Sequence, residues 1–124
     1  MGLLGRDAIL GAVDLAHVDV DVPEWGGVVR VRMLTGGERD AFEAGTVVRH
    51  GKKIDTNLVN IRARLAALCV VDEAGARVFS EADAEALGQK SAAALNRVFE
   101  AARQLNGLTE EASAEAASQF QESA

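Results

Sequence analysis

"VDVDVPEWGGVVRVRML", residues 18–34, carries the chain's one Pro and one Trp two positions apart, at the bend of a run that otherwise alternates Val with charge. Val18, Val20 and Val22 alternate with Asp19 and Asp21, and Val29, Val31 and Met33 alternate with Arg30 and Arg32. Alternation with a period of two puts each set on one face of a strand. Pro23 closes the first strand because it has no N–H for a ladder, and Gly26-Gly27 supply backbone freedom for a turn. The stretch therefore predicts a β-hairpin. Keeping Val opposite Val leaves two registers open: Asp21 opposite Arg30 with Asp19 opposite Arg32, or Asp19 opposite Arg30. A slip by one residue would set Asp against Val and turn one Val face to water.

Helices are expected on both sides of the hairpin. Residues 5–13, "GRDAILGAV", predict a short one with Ile9, Leu10 and Val13 on one side, weakened by Gly11. Thr35 and Glu38 have capping-box spacing, starting a helix that carries Ala41, Phe42 and Val48 inward. A basic loop follows with Arg49, His50, Lys52 and Lys53. Asp55 or Thr56 then caps "NLVNIRARLAALCVV", where Leu58, Ile61, Leu65 and Leu68 fall at helical spacing and Arg62 and Arg64 fall outside the stripe. "VVDEAGARVF" predicts a tight turn at Glu73–Gly75 between two extended pieces, a second short β ladder near residues 70–79.

Ser80 opens a short helix with Asp83 supporting the cap. Ser91 opens the most regular one, with Leu95, Val98, Phe99, Ala102 and Leu105 as its apolar stripe and Gly107 as its stop. The sum is an α+β fold: one N-terminal β-hairpin packed against about four to five helices. Residues 1–108 form a single domain. Residues 109–124 form a polar C-terminal tail, a frayed helix or disordered, with Phe120 its one large apolar residue.

Composition narrows the function classes. The chain has 124 residues, 19 of them acidic and 13 basic, for a net charge of −6. That balance argues against nucleic acid, whose footprint would be a basic face. Charge is split along the chain: residues 28–64 hold eight cations and four anions, residues 65–124 four and ten. Such a dipolar chain can attract copies of itself, and a lone hairpin also leaves edges free to pair. Self-association is therefore expected. Cys69 is alone, so no internal disulfide can form, and its apolar run "LAALCVV" suits a small buried side chain better than a nucleophile.

The start, "MGLLGRDAILGAVD", is too short and interrupted for a signal peptide or membrane span, and Arg6 breaks the myristoylation pattern. His17 and His50 lack a Ser or Cys at a motif spacing. Asp72-Glu73 and Glu110-Glu111 read as solvated pairs, and the two "GG" pairs match no phosphate loop. No enzyme, cofactor or metal site is expected, and the compartment is cytoplasmic by default. Trp25 is the residue that stays open: its ring either folds back over the hairpin or a helix, or stands as a contact anchor, a role in which Trp is enriched.

The order and spacing of "VPEWGG" before "VRVR", the capped "TGGERDAF", "RARLAALCVVDEAG" and "ALNRVFEAARQLNGL" resemble the tail assembly chaperones of long-tailed bacteriophages over roughly residues 18–108. The resemblance implies a non-catalytic protein that binds the tape measure protein and keeps it soluble before the tail tube polymerises. It implies self-association, and a longer frameshifted form that recruits tail tube protein. It also places the protein in the host cytoplasm and outside the mature virion. It transfers no catalytic residues; Trp25, Arg30 and Arg32 are the candidate partner-binding set. The competing classes are a structural tail-completion or connector component of the virion and a small nucleic-acid-binding regulator.

Overall fold

A computed structural model describes residues 2–108 of the chain. The hairpin is formed by β1 (His17–Val22) and β2 (Gly27–Arg32), antiparallel, with Asp19 opposite Arg30 and Val18 opposite Val31. Of the two registers compatible with the Val pattern, this is the one that sets Arg32 opposite His17. The bend is a 3-10 turn over Pro23–Trp25, closed where the Gly26 N–H donates to the Pro23 carbonyl at 3.1 Å. Gly26 has φ +75°, so the turn needs a residue tolerant of the left-handed region.

The hairpin does not stand alone. The extended piece expected near residue 70 supplies β5 (Val70–Val71), which pairs with β2 to give a three-stranded sheet ordered β1-β2-β5. The tight turn after it is present: Asp72 N–H donates to the Ala76 carbonyl at 2.9 Å, Gly75 has φ +84°, and Arg77 bridges back to Val71. The second short ladder is thus the far edge of the first sheet.

Among the described residues, five α-helices accompany the strands: α1 (Arg6–Leu10), α2 (Gly36–Thr46), α3 (Ile61–Cys69), α4 (Ala84–Leu87) and α5 (Ala92–Leu105). The expected caps form. Thr35 Oγ1 accepts from Glu38 N–H at 3.1 Å while Glu38 Oε1 accepts from Thr35 N–H at 2.9 Å. Ser91 Oγ accepts from Ala94 N–H at 3.2 Å, and Gly107, at φ +68°, ends α5. In α5 the stripe is as read: Leu95, Val98 and Ala102 are buried, Phe99 and Leu105 half-buried.

Several local expectations are corrected. The basic loop after α2 is the tip of a second hairpin, β3 (Val47–His50) with β4 (Lys53–Thr56), turning at Gly51 with φ +62°. Asp55 and Thr56 therefore lie in a strand and cap nothing. Asn57 Oδ1 accepts from Val59 N–H at 3.1 Å, turning the chain, and α3 starts only after Asn60, at φ +55°. Leu58 and Val59 precede the helix and are 60% and 71% exposed. Ala41 faces solvent, Phe42 is half-buried, and Val48 belongs to β3. The short N-terminal helix exists, but Ile9, Leu10 and Val13 are all exposed.

The core lies between the sheet, α3 and α5. Val22 and Val31 from the hairpin, Leu65 and Cys69 from α3 and Val98 from α5 are essentially inaccessible. Ala63, Ala66 and Ala67 let the neighbouring elements approach α3 closely, so a chain poor in large side chains still buries this helix over most of its surface. Asn106 ties the far end of α5 to the strand exit, its Oδ1 accepting from Leu34 N–H at 2.8 Å. The polar tail, residues 109–124 with Phe120, lies outside the described residues.

Candidate functional site

Trp25 is placed by the turn that ends β1. Pro23 fixes the first backbone angle of the 3-10 turn, and Glu24 anchors the turn to α5: Arg97 Nε donates to both Glu24 carboxylate oxygens, at 2.7 and 2.9 Å. The indole is half-buried and packs against the hydrophobic core, so part of it is a folding contact. The rest forms one wall of an open groove of about 590 Å³, lined by Val78, Phe79, Ala86 and Leu87, with Asp83 and Lys90 at its rim. The ring is thus in part a packing contact and in part the wall of an open groove.

The opposite wall is local in origin. Val78 N–H donates to the Val70 carbonyl at 3.1 Å, which holds the segment after β5 alongside the sheet. Asp83 Oδ2 then accepts from the Ser80 N–H at 2.9 Å and its hydroxyl at 3.2 Å, turning the chain into α4. The turn delivers Phe79, half-buried, and Leu87, 6% exposed, to the groove while Val78 stays 51% exposed. The surface is apolar and carries one charge of each sign at its edge, which suits an aliphatic side-chain ridge rather than a polyanion or a small charged substrate.

Arg30 and Arg32 do not line this groove. Strand alternation puts both on the face away from Val29 and Val31. Arg30 makes a two-point pair with Asp19, at 2.8 and 3.2 Å. That hydrogen-bonded guanidinium holds the Asp19 carboxyl below its usual range, against the opposing effect of burial. Arg32 is more deeply held: Nη1 and Nη2 meet Glu38 Oε1 and Oε2 at 3.1 Å each, and Nη1 also donates to the Met33 carbonyl at 3.1 Å. Burial acts to raise the Glu38 pKa, but the Arg32 fork and the Thr35 N–H outweigh it and keep the carboxyl low.

No local pattern pointed to the residues that share the groove with Trp25, because Val78, Phe79 and Leu87 lie more than 50 residues away along the chain. The nearest local sign was the apolar "VF" just before the Ser80 cap and the Leu that follows it by one short helix.

Burial pushes the Cys69 thiol up to about 12, far from a thiolate at neutral pH. Among the described residues no group of three or more His, Cys, Asp or Glu side chains is placed to hold a metal ion, and no helix is long and apolar enough to cross a membrane.

A family model described as phage tail assembly chaperone matches residues 12–119. The comparisons with curated proteins and with solved structures found no match.

Proposed function

The chain belongs to the phage tail assembly chaperone family, and from that premise we propose that it binds the tape measure protein and keeps its apolar helices soluble until the tail tube encloses them. The observation that carries the reading is the groove walled by Trp25: an indole held by the turn, half of it committed to the core and the remainder facing Val78, Phe79 and Leu87 across open space. A groove of about 590 Å³ takes a few side chains of a helix ridge, not a whole helix roughly 10–12 Å across.

Each site is then weak and tolerant of sequence. Coverage of a long helical client comes from many copies acting together, an avidity that needs no tight single contact. Trp25 is the anchor, since an indole offers a large contact area at little rotamer cost. Arg30 and Arg32 serve by holding the hairpin and α2 that carry the turn, and Arg30, at the surface, is the one able to exchange its Asp19 partner for a client carboxylate. The protein works without catalysis, in the host cytoplasm before the virion is complete, and a longer form could bring tail tube subunits to the same client.

The test is co-expression with the tape measure protein. Wild type should co-purify with it and keep it in the soluble fraction. Trp25→Ala should weaken binding by about 1–3 kcal/mol per site while remaining folded. A folded Trp25→Ala chain that solubilises the client as well as wild type would remove the groove from the mechanism. Detection of the protein in purified finished tails would favour the structural-component reading instead.

A further inference from the structure

The segment before β1 is the least satisfied part of the fold. Leu3, Leu4, Ile9, Leu10 and Val13 are 104%, 70%, 56%, 69% and 100% exposed, and no residue of α1 is buried. Most of this arm precedes the residues shared with the family. A run of five exposed large aliphatic side chains is larger than an isolated apolar residue on a normal surface and marks a contact. With one Arg and two Asp between residues 2 and 14, it lacks the basic face that membrane-surface helices carry.

A second apolar surface is also uncovered. Between α2, α3 and the start of α4, Ala41, Phe42, Ala67, Leu68 and Ala84 line a groove of about 290 Å³. Its polar lining is Arg64, Arg77 and Glu81. Arg64 donates to the Gly45 and Asn57 carbonyls at 2.9 and 2.8 Å, and Arg77 donates to the Ala67 carbonyl at 3.2 Å. Neither guanidinium meets a carboxylate among the described residues. The groove thus carries two cations and one anion, and the arm carries two anions, Asp7 and Asp14, and one cation, Arg6. The existing Arg6–Asp7 pair is 81% and 94% exposed, so it holds the arm charges only loosely.

We propose that the N-terminal arm of one copy docks its Ile9, Leu10 and Val13 side chains in the Ala41/Phe42/Leu68 groove of a second copy, Asp7 and Asp14 meeting Arg64 and Arg77. A chain able to fill its own groove with its own arm would bury both, and here both stand open. Exchange in trans closes the contact in a two-fold dimer. At on the order of 100 Å² per aliphatic side chain, the three docked residues of two exchanged arms and the surfaces that receive them bury about 1,200 Å², the lower end of the range of stable interfaces.

The hairpin edge is a poorer route to the same dimer. A β1 strand pairing antiparallel with its copy about Val20 sets Asp19 against Asp21, and a slip by one residue turns the Val face outward. Charges on an edge strand discourage such pairing.

The experiment is sedimentation of the full chain over a concentration series, beside Leu10→Asp, a chain lacking residues 2–13, and Ala41→Glu, the last placed on an exposed helix surface at the groove. Wild type should dimerise, and all three changes should raise the dissociation constant about tenfold or more without lowering the melting temperature of the monomer. A synthetic peptide of residues 2–14 should bind the arm-less chain and not its Ala41→Glu form. An arm-less chain that dimerises as wild type does overturns the proposal. Loss of dimer in the arm variants with Ala41→Glu unaffected overturns the groove assignment. A wild-type monomer at every concentration overturns the second copy as the occupant. Client binding by Trp25 is read separately and can fail or hold independently.

Discussion

Arg32 and Glu38 meet fork to fork, Nη1 to Oε1 and Nη2 to Oε2 at 3.1 Å each, joining the end of β2 to the first turn of α2. The same Glu38 carboxylate accepts from the Thr35 N–H, so one side chain completes a helix cap and fixes that helix to the sheet. Both partners are largely shielded, with side-chain exposures of 12% and 18%. Truncating either leaves the other without a charge partner in a shielded place, a costly state.

Glu38→Gln should therefore destabilise the protein by about 1–3 kcal/mol at neutral pH. The folded carboxyl sits below its ordinary value, so its contribution is fully present above the unfolded range near about 4.3 and is lost as pH falls through the lowered folded value. Denaturant titrations from pH 7 downward should show wild-type stability declining across that acidic window. Glu38→Gln should decline less steeply there. Parallel curves would show that the fork carries no linkage.

Trp25→Ala tests how the indole is divided between core and groove. A fully buried aromatic costs about 3–5 kcal/mol on truncation, and half-burial predicts about 1–3 kcal/mol with a cooperative transition retained. Chemical denaturation measures it. A loss at the full-core value would mean that little of the ring is left for a partner.

Cys69 should be inert to an aromatic disulfide reagent at neutral pH in the native chain and react at once in denaturant. Burial raises the thiol to about 12, and the side chain is inaccessible. Fast native labelling would show that the sheet and α3 separate readily.

Gly88 packs against the residue that starts α3. A Cβ there would lie 2.7 Å from Asn60 Oδ1 and 3.1 Å from Asn60 Cγ. Gly88→Ala should cost about 1–3 kcal/mol through this overlap. Adding Asn60→Gly removes the opposing side chain while suiting the φ of +55° at that position, so the double variant should recover stability relative to Gly88→Ala. Additive losses in thermal melts would place the strain elsewhere.

What the sequence alone determined was local. Val-charge alternation specified the faces of β1 and β2; Thr35 with Glu38, Ser91 and Gly107 marked helix ends; and the 3.6-residue stripe of α5 named its buried side. These signals are carried by hydrogen bonds and side-chain spacing within a few residues, so they need no knowledge of the rest of the chain. The family resemblance was legible for the same reason, being a matter of motif order along the chain.

Tertiary structure decided what joins distant segments. The Val pattern allowed two registers; the one formed leaves Asp19 to Arg30, while packing of α2 on the strand end gives Arg32 to Glu38. The β3–β4 hairpin was hidden because its strands are short and basic and lack a clean alternation. The setting of Trp25 was decided only when Phe79 and Leu87, brought up by the β5 turn and the Ser80 cap, came beside it to form a groove. Such contacts form only when loops of tens of residues close, and side-chain chemistry along one stretch does not encode which remote surface will meet it.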